Sequence, residues 1–293
     1  MKERKLHKKK CLGCGKKKFM RSDRTYCSVK CAHGHKAKAR EMKRKLETTV
    51  VFGDVHIPFQ DDVALGLALS FIEREKPDRV VINGDFLDCY DVSSFDKNPD
   101  RKARFKDEIA HGREVLGELR RVSGKAEIIY IYGNHEHRLS RYLNTEARAL
   151  KGLAGLTIEE QLHLDELDIQ FVDCHADKFI DTYIRIGELL IGHFAKVSPY
   201  SGYTAKNLLD QYGMSLIQAH VHSMGSSNKV LETGPVMGWE GGCLCSLDPH
   251  YTKQKKWMHG FHVVHMNRGG EFFHVEPVSI IDGKYFYGGE LFS

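Results

Sequence analysis

The sequence predicts a layered α/β domain over residues 48–293, preceded by a small, basic, metal-stapled segment over 1–47. Three observations predict this. Charge divides the chain: residues 1–47 carry 18 Lys/Arg against four acidic residues, a net of +14, while 48–293 carry 26 basic and 35 acidic residues, a net of −9. Cysteines pair in the first segment, as Cys11-Leu12-Gly13-Cys14 and Cys27-Ser28-Val29-Lys30-Cys31. Beyond residue 48, short β-branched runs alternate with amphipathic stretches, the pattern of strands and helices stacked in layers.

Composition narrows the classes. Of 293 residues, 41 % are hydrophobic and 10 % aromatic, enough for a packed core in the acidic part. No run of about 18 apolar residues occurs, so no membrane-spanning helix and no membrane partner are expected. The Lys-rich start is not followed by an apolar stretch, so no secretory leader and a cytoplasmic location are expected. Disulfides are rare there, and the eight cysteines are expected to be reduced, buried or metal-bound. No period of about 20–50 residues repeats.

Residues 1–47 are too poor in apolar side chains to fold by burial alone. Two cysteine knuckles twelve residues apart match a closed tetrahedral zinc site made by Cys11, Cys14, Cys27 and Cys31. Gly13 and Gly15 suit the tight knuckle turn. Zinc binding would then supply the folding free energy. The alternatives are solvated free thiols, or His33 or His35 replacing one cysteine. Residues 36–47 read as a basic helix or linker. Strands are predicted at 49–52, 79–82 and 127–132, and helices at 63–76, 102–122 and 135–150. After residue 168 strand-like runs dominate, at 168–172, 183–186, 188–191, 214–218, 229–232, 261–266 and 271–276, with a helix at 202–212.

The residues just beyond the strand ends carry the chemistry. The first strand ends in Gly53-Asp54-Val55-His56, the second in Gly84-Asp85-Phe86-Leu87-Asp88, and the third in Gly133-Asn134-His135-Glu136. The run at 189–191 leads to Gly192-His193, and that at 214–218 to Ala219-His220-Val221-His222. In layered α/β folds ligands gather beyond the carboxyl ends of strands. Two divalent cations can clamp an in-line displacement at phosphorus, and they want a bridging carboxylate completed by imidazole and amide donors. Mixed Asp/Asn/His donors suit manganese, iron, zinc or nickel better than calcium. A lone Gly-Asp or Gly-His is only a turn after a strand; the ordered set is what signifies.

That ordered set resembles the calcineurin-like metallophosphoesterases over about 48–293. The resemblance implies an αββα sandwich with a dinuclear site between its loops. It implies that Asp54, His56, Asp85 and His222 hold one metal, and that Asp85, Asn134, His193 and His220 hold the other. His135 would act as general acid or phosphate donor, and a metal-bridging hydroxide would be the nucleophile. Manganese is the expected metal, with iron, zinc, nickel or magnesium as alternatives. Two departures stand out. Ala219 replaces the usual glycine. Asp88-Cys89-Tyr90 stands where the Ser/Thr protein phosphatase branch carries Asp-Arg-Gly, which argues against that branch.

Substrate is read from charge. Four thiolates and a zinc ion lower the segment's +14 by about two, and what remains suits nucleic acid, bound without sequence preference. The expected function is therefore hydrolysis of nucleic-acid phosphoesters, as a nuclease or nucleic-acid phosphatase. One alternative is a phosphatase or pyrophosphohydrolase of nucleotides and other small phosphates, and another is a catalytically inactive nucleic-acid-binding protein. Arg138 and Arg141, three apart on the helix predicted at 135–150, either share a face toward a phosphate or form an exposed charged face. Tyr90, with Phe95, Tyr200 and Tyr203, either stacks a base or packs its loop. The long loop 86–101 is itself a candidate functional segment.

Overall fold

The computed structural model describes residues 6–12, 14–21, 24–34, 46–97, 104–174, 182–248 and 256–293. The chain divides into two units, Met1–Leu46 and Glu47–Ser293. Most of the basic stretch 36–47, His35 and the last residues of the loop 86–101 lie outside the described residues.

In the first unit, β1 (Leu6–Lys10) and β2 (Lys17–Arg21) form an antiparallel hairpin with Lys8 opposite Phe19, Lys9 opposite Lys18 and Lys10 opposite Lys17. Its turn is the first cysteine knuckle. The Cys11 amide donates to the Lys16 carbonyl at 3.0 Å and the Gly15 amide to the Cys11 carbonyl at 2.8 Å. Gly15 takes φ +70°, a left-handed value that costs glycine nothing. The second knuckle leads into helix α1 (29–34).

In the second unit, β3 (Leu46–Phe52), β4 (Arg79–Asn83), β5 (Glu127–Ile131) and β6 (Ile169–Val172) run parallel, in register Val50–Val80–Ile128–Ile169. β12 (His259–Asn267) and β13 (Phe273–Ile280) extend this sheet to six strands in the order β13-β12-β3-β4-β5-β6. Period-two alternation divides the side chains between its faces. Val50, Phe52, Val80, Ile82, Ile128 and Tyr130 pack with Phe71 and Ile72 of α2 (Asp62–Glu75) and Leu116 and Leu119 of α3 (Phe105–Ser123). Val51, Val81, Ile129 and Ile131 face the other way, into a second sheet.

That second sheet has the order β10-β11-β9-β8-β7. Its strands are β7 (Thr182–Ile186), β8 (Leu189–His193), β9 (Ser215–Gln218), β10 (Ser226–Leu231) and β11 (Gly234–Glu240). Leu189, Ile191, Ile217 and Trp239 fill the space between the sheets. Leu190 and Leu216 turn outward against Leu208 and Leu209 of α6 (Tyr203–Tyr212). The layers are therefore helix, sheet, sheet, helix, the expected αββα sandwich.

Details differ from expectation at the margins. The helix predicted at 135–150 is α4 (His137–Thr145) followed by a 3-10 turn at Arg148–Leu150. A short α5 (Ile158–Leu162) was not foreseen; Thr157 and Glu160 cap each other at its start. Neither was β11, whose Gly234, Pro235 and Gly238 dilute the strand pattern. A terminal hairpin, β14 (Tyr285–Tyr287) with β15 (Glu290–Phe292), also went unread.

Candidate metal centre and phosphoester site

Each motif leaves its strand at the same end of the two sheets. The loops after β3 and β4 zip together beyond their strands: the Asp54 amide donates to Gly84 O at 3.0 Å, and the Val55 and His56 amides to Asp85 O at 2.9 and 3.0 Å. Asp54, His56, Asp85, His220 and His222 all hold positive φ, from 49° to 77°. Left-handed backbone at residues other than glycine costs about 1–3 kcal/mol each and persists where the surroundings impose it. The glycines make the close approach possible. A Cβ on Gly84 would strike the His193 ring, and one on Gly133 would strike Asp85 and Glu136.

The side chains converge in two groups joined by Asp85. In one, His222 Nε2 lies 3.2 Å from Asp54 Oδ1 and 3.1 Å from His56 Nε2. His56 Nε2 is 3.9 Å from both Asp54 Oδ1 and Asp85 Oδ2. In the other, His193 Nε2 is 3.2 Å from Asp85 Oδ2 and 3.0 Å from Asn134 Oδ1. His220 completes that group, with donor atoms of Asp85, His193 and His220 mutually within 4.8 Å. The structure thus brings together all seven residues named as candidate metal ligands.

The chemistry of this set fits cations. His193 Nδ1 donates to the Asn83 carbonyl at 2.8 Å. In a neutral ring that leaves Nε2 a lone pair, aimed at two oxygens that also carry lone pairs. The Asp85 carboxylate can only accept, so positive charge between it and Nε2 is what reconciles that pair. Protonation is how the protein alone supplies it. Burial opposes a charged His193, yet Asp85 prevails and pushes it up to about 9. Burial likewise opposes a charged His222, and Asp54 prevails, pushing it up to about 10. Burial works against ionised Asp85 too, but His193 and His135 hold it well below the usual carboxylate range. Divalent cations between these donors replace those protons with fixed charge.

His135 stands beside this centre. Its Nε2 is 3.7 Å from Asp85 Oδ2, and its Nδ1 lies 2.9 Å from Asp88 O and 3.3 Å from Asp88 Oδ1. Arg138 donates to Asp88 O at 2.7 Å and lies 2.9 Å from His135 Nε2. Of the three residues named as substrate contacts, Arg138 alone reaches this group. Arg141 is half-buried, and among the described residues its guanidinium makes no hydrogen bond or ion pair. The Tyr90 hydroxyl donates to Asp96 O at 2.8 Å, and Lys97 lies 4.8 Å from its ring, so Tyr90 packs its own loop.

Several residues here escaped sequence reasoning. Asp88 was read as the end of the second motif and as part of a departure, with no role of its own, yet its carboxylate lies 3.4 Å from His56 Nδ1 as well as against His135. Glu136 is fully buried. It accepts from the amides of Asp85, Leu87 and Gly133 and from the Tyr130 hydroxyl at 2.7–3.1 Å. It thereby ties the loops after β4 and β5 together. Cys245 Sγ lies 3.7 Å from His222 Nδ1, and the Trp257 ring centroid is 4.2 Å from that of His222. Glu136 had a signal, its place in Gly-Asn-His-Glu; Cys245 and Trp257 had none.

The family model for calcineurin-like phosphoesterases matches residues 48–224. The chain belongs to the calcineurin-like phosphoesterase family. It is a metal-dependent phosphoesterase, and the clustered side chains of His56, Asp85, His135, His193, His220 and His222 are candidates to hold divalent cations. Over 258 residues the chain is 26% identical to the Gene 54 protein of Mycobacterium phage L5 and 27% identical to the Gene 54 protein of Mycobacterium phage D29. Each match covers 83% of this chain and 97% of the relative. Among solved structures it is similar to Vps29 complexed with zinc from Entamoeba histolytica, with a TM-score of 0.42 and 12% identity, covering 82% of this chain and 96% of that one. YfcE, a phosphoesterase from E. coli, gives a TM-score of 0.34 and 11% identity, covering 80% and 100%. Among the described residues no helix is long and apolar enough to cross a membrane.

In the N-terminal unit the four cysteine sulfurs lie within 4.8 Å of one another. Cys27 Sγ is 3.4 Å from Cys31 Sγ and 3.9 Å from Cys14 Sγ, and the Cys27 amide points at Cys11 Sγ from 3.3 Å. Zinc–sulfur bonds of about 2.3 Å in a tetrahedron require sulfurs about 3.8 Å apart. Hydrogen bonding to Cys31 and Cys11 pushes the Cys27 thiol up to about 12, so thiolates form there only with a cation to hold them. The cluster fits a zinc-binding segment, and all eight cysteines are unpaired by disulfides.

Proposed function

We propose that this phosphoesterase hydrolyses phosphoester bonds of nucleic acid, brought to them by its basic four-cysteine segment. The observation that carries the reading is the surface of the hairpin β1–β2. Lys8, Lys10 and Lys17 stand with exposed Phe19 on one of its faces, and Lys9 lies directly opposite Lys18 on the other. Like charges directly across a strand pair are destabilising, and a polyphosphate relieves that repulsion. Cations interleaved with an aromatic suit a single-stranded backbone and its bases.

In this reading Asp54, His56, Asp85 and His222 hold one divalent cation and Asp85, Asn134, His193 and His220 the other, with zinc on the four cysteines. The centre's cations supply Lewis acidity toward a phosphoryl oxygen and a nucleophile at neutral pH. The chain's own residues do the rest. Asp88 O accepts the hydrogen bond of His135 Nδ1–H, which turns Nε2 toward the phosphate; Nε2 delivers a proton to the leaving oxygen when the ring carries its second proton and Arg138 has moved from Nε2 to the phosphate. Arg138, beside that nitrogen, donates to a non-bridging phosphate oxygen. Asp88 fixes the orientation of both.

Binding of a fluorescent single-stranded oligonucleotide across salt tests the reading. Each phosphate contact contributes about 0.7 to the slope of log K against log salt. The full chain with Lys8→Glu, Lys10→Glu and Lys17→Glu should lose about 2 from that slope. An unchanged slope and affinity would overturn it.

A further inference from the structure

Exposed aromatic side chains, each with a cation on its ring, flank the metal centre on both sides. Phe95 is 64% exposed, and the Arg138 guanidinium carbon lies 5.5 Å from its ring centroid. Arg138 in turn touches His135 Nε2. On the far side, the Trp257 ring packs on His222, and the neighbouring Lys256 places its Nζ 4.8 Å from the ring centroid of Tyr200. Tyr200 is 63% exposed and Tyr203 54% exposed, with centroids 5.4 Å apart. Between the flanks the rings of His135, His56 and His222 succeed one another at centroid spacings of 4.3 and 5.0 Å.

Two features of this arrangement matter. Large aromatic surface left in water is costly unless something covers it, and here the cation on Phe95 touches His135 while the cation on Tyr200 adjoins the tryptophan that packs on His222. The catalytic unit is net negative, yet the cations beside the aromatics are local. Alternating ring and positive charge is the pattern that binds a flexible single strand, since every base offers a face to stack and every linkage a charge. A base paired in a duplex has no face free for either flank.

We infer that the calcineurin-like site takes an internal phosphodiester of a single-stranded polynucleotide, with a base on Phe95 on one side of the scissile linkage and a base on Tyr200 on the other. This rests on the nucleic-acid reading above and narrows it. A mononucleotide or a terminal phosphate engages one flank at most; only a strand running through the centre engages both. Arg138 serves two purposes, holding Phe95 in place and meeting the phosphate.

The test uses the full-length protein with manganese, comparing a single-stranded oligodeoxynucleotide with bis(p-nitrophenyl) phosphate, a diester too small to span the flanks. One stacked base is worth roughly 5- to 160-fold. The ratio of kcat/KM for oligonucleotide over the small diester should fall by about that factor in Phe95→Ala and in Tyr200→Ala, mainly through KM. Phe95→Trp should restore it. A second readout needs no completed turnover: an oligonucleotide carrying 5-iododeoxyuridine and phosphorothioate linkages, irradiated on the metal-loaded protein in the cold, should cross-link to Phe95 and Tyr200. Unchanged ratios in both variants, or cross-links confined to residues 1–47, would overturn the inference while wild-type cleavage of the strand kept the broader reading intact. Wild-type protein that hydrolyses the small diester and cleaves no polynucleotide would defeat the broader reading itself.

Discussion

Glu136 offers the sharpest test of how the site is built. Its carboxylate is buried and takes four hydrogen bonds, two on each oxygen. Oε2 accepts from the Asp85 and Gly133 amides, and Oε1 from the Leu87 amide and the Tyr130 hydroxyl. Glu136→Gln keeps the shape but turns one oxygen into an NH2 facing two donors. Each donor left unsatisfied in the interior costs about 1–3 kcal/mol, so two should cost about 2–6 kcal/mol. With a urea dependence of about 3 kcal/mol/M for a chain of this size, the midpoint should fall by about 1–2 M. Tyr130→Phe removes one donor without leaving a polar group unpaired and should cost about 1 kcal/mol. Urea unfolding followed by tryptophan fluorescence measures both. A Glu136→Gln midpoint within about 0.2 M of wild type would refute the claim that this carboxylate holds the loops after β4 and β5 in register.

The same geometry sets other expectations. His135→Ala should leave metal stoichiometry intact while lowering kcat by about 10²- to 10⁴-fold, the usual worth of a positioned acid; metal analysis with steady-state kinetics checks both. Burial pushes His262 down to about 3. Its neutral form therefore stabilises the fold above the ordinary imidazole value of about 6.5, and that stability is lost as pH falls below it. Between pH 7 and pH 5, wild type should lose about 2 kcal/mol more than His262→Leu in chemical unfolding, and equal losses would contradict the assignment. Cys11→Ser with Cys14→Ser should release one zinc ion per chain by elemental analysis and weaken oligonucleotide binding, while metal-dependent hydrolysis of bis(p-nitrophenyl) phosphate persists.

The site was legible because its chemistry sits where strands end. Runs such as Val50-Val51-Phe52 and Val80-Val81-Ile82 are buried on both faces, so they read as unbroken apolar stretches bounded by Gly53 and Gly84. Those glycines mark where the chain must turn, and the candidate ligands Asp54 and Asp85 come directly after them. The two sheets stack as the alternation of Val50 and Val51 requires. The residues that stayed hidden depend on tertiary partners. Asp88 matters only because His56 and His135 both turn toward it, and the two readings of Tyr90 could not be separated because nothing local shows that its hydroxyl closes on Asp96. Arg141 lies one turn beyond Arg138, but α4 ends at Thr145 and only Arg138 is carried to Asp88. β11 was missed because Gly234, Pro235 and Gly238 remove the side chains that announce a strand, and Gly238 is needed where Ala205 and Leu209 of α6 come within 3.4 Å of its missing Cβ.

The central claim, that Asp85 joins two cation sites which hydrolyse polynucleotide phosphoesters, is tested most directly by one panel. Full-length protein with manganese would be given single-stranded DNA, RNA, plasmid, mononucleotides and bis(p-nitrophenyl) phosphate, in parallel with Asp85→Ala. Wild-type protein should show a higher kcat/KM for single-stranded polynucleotide than for any mononucleotide, and the variant should lose every activity. Full activity after Asp85→Ala, or a preference for mononucleotides, would contradict the claim.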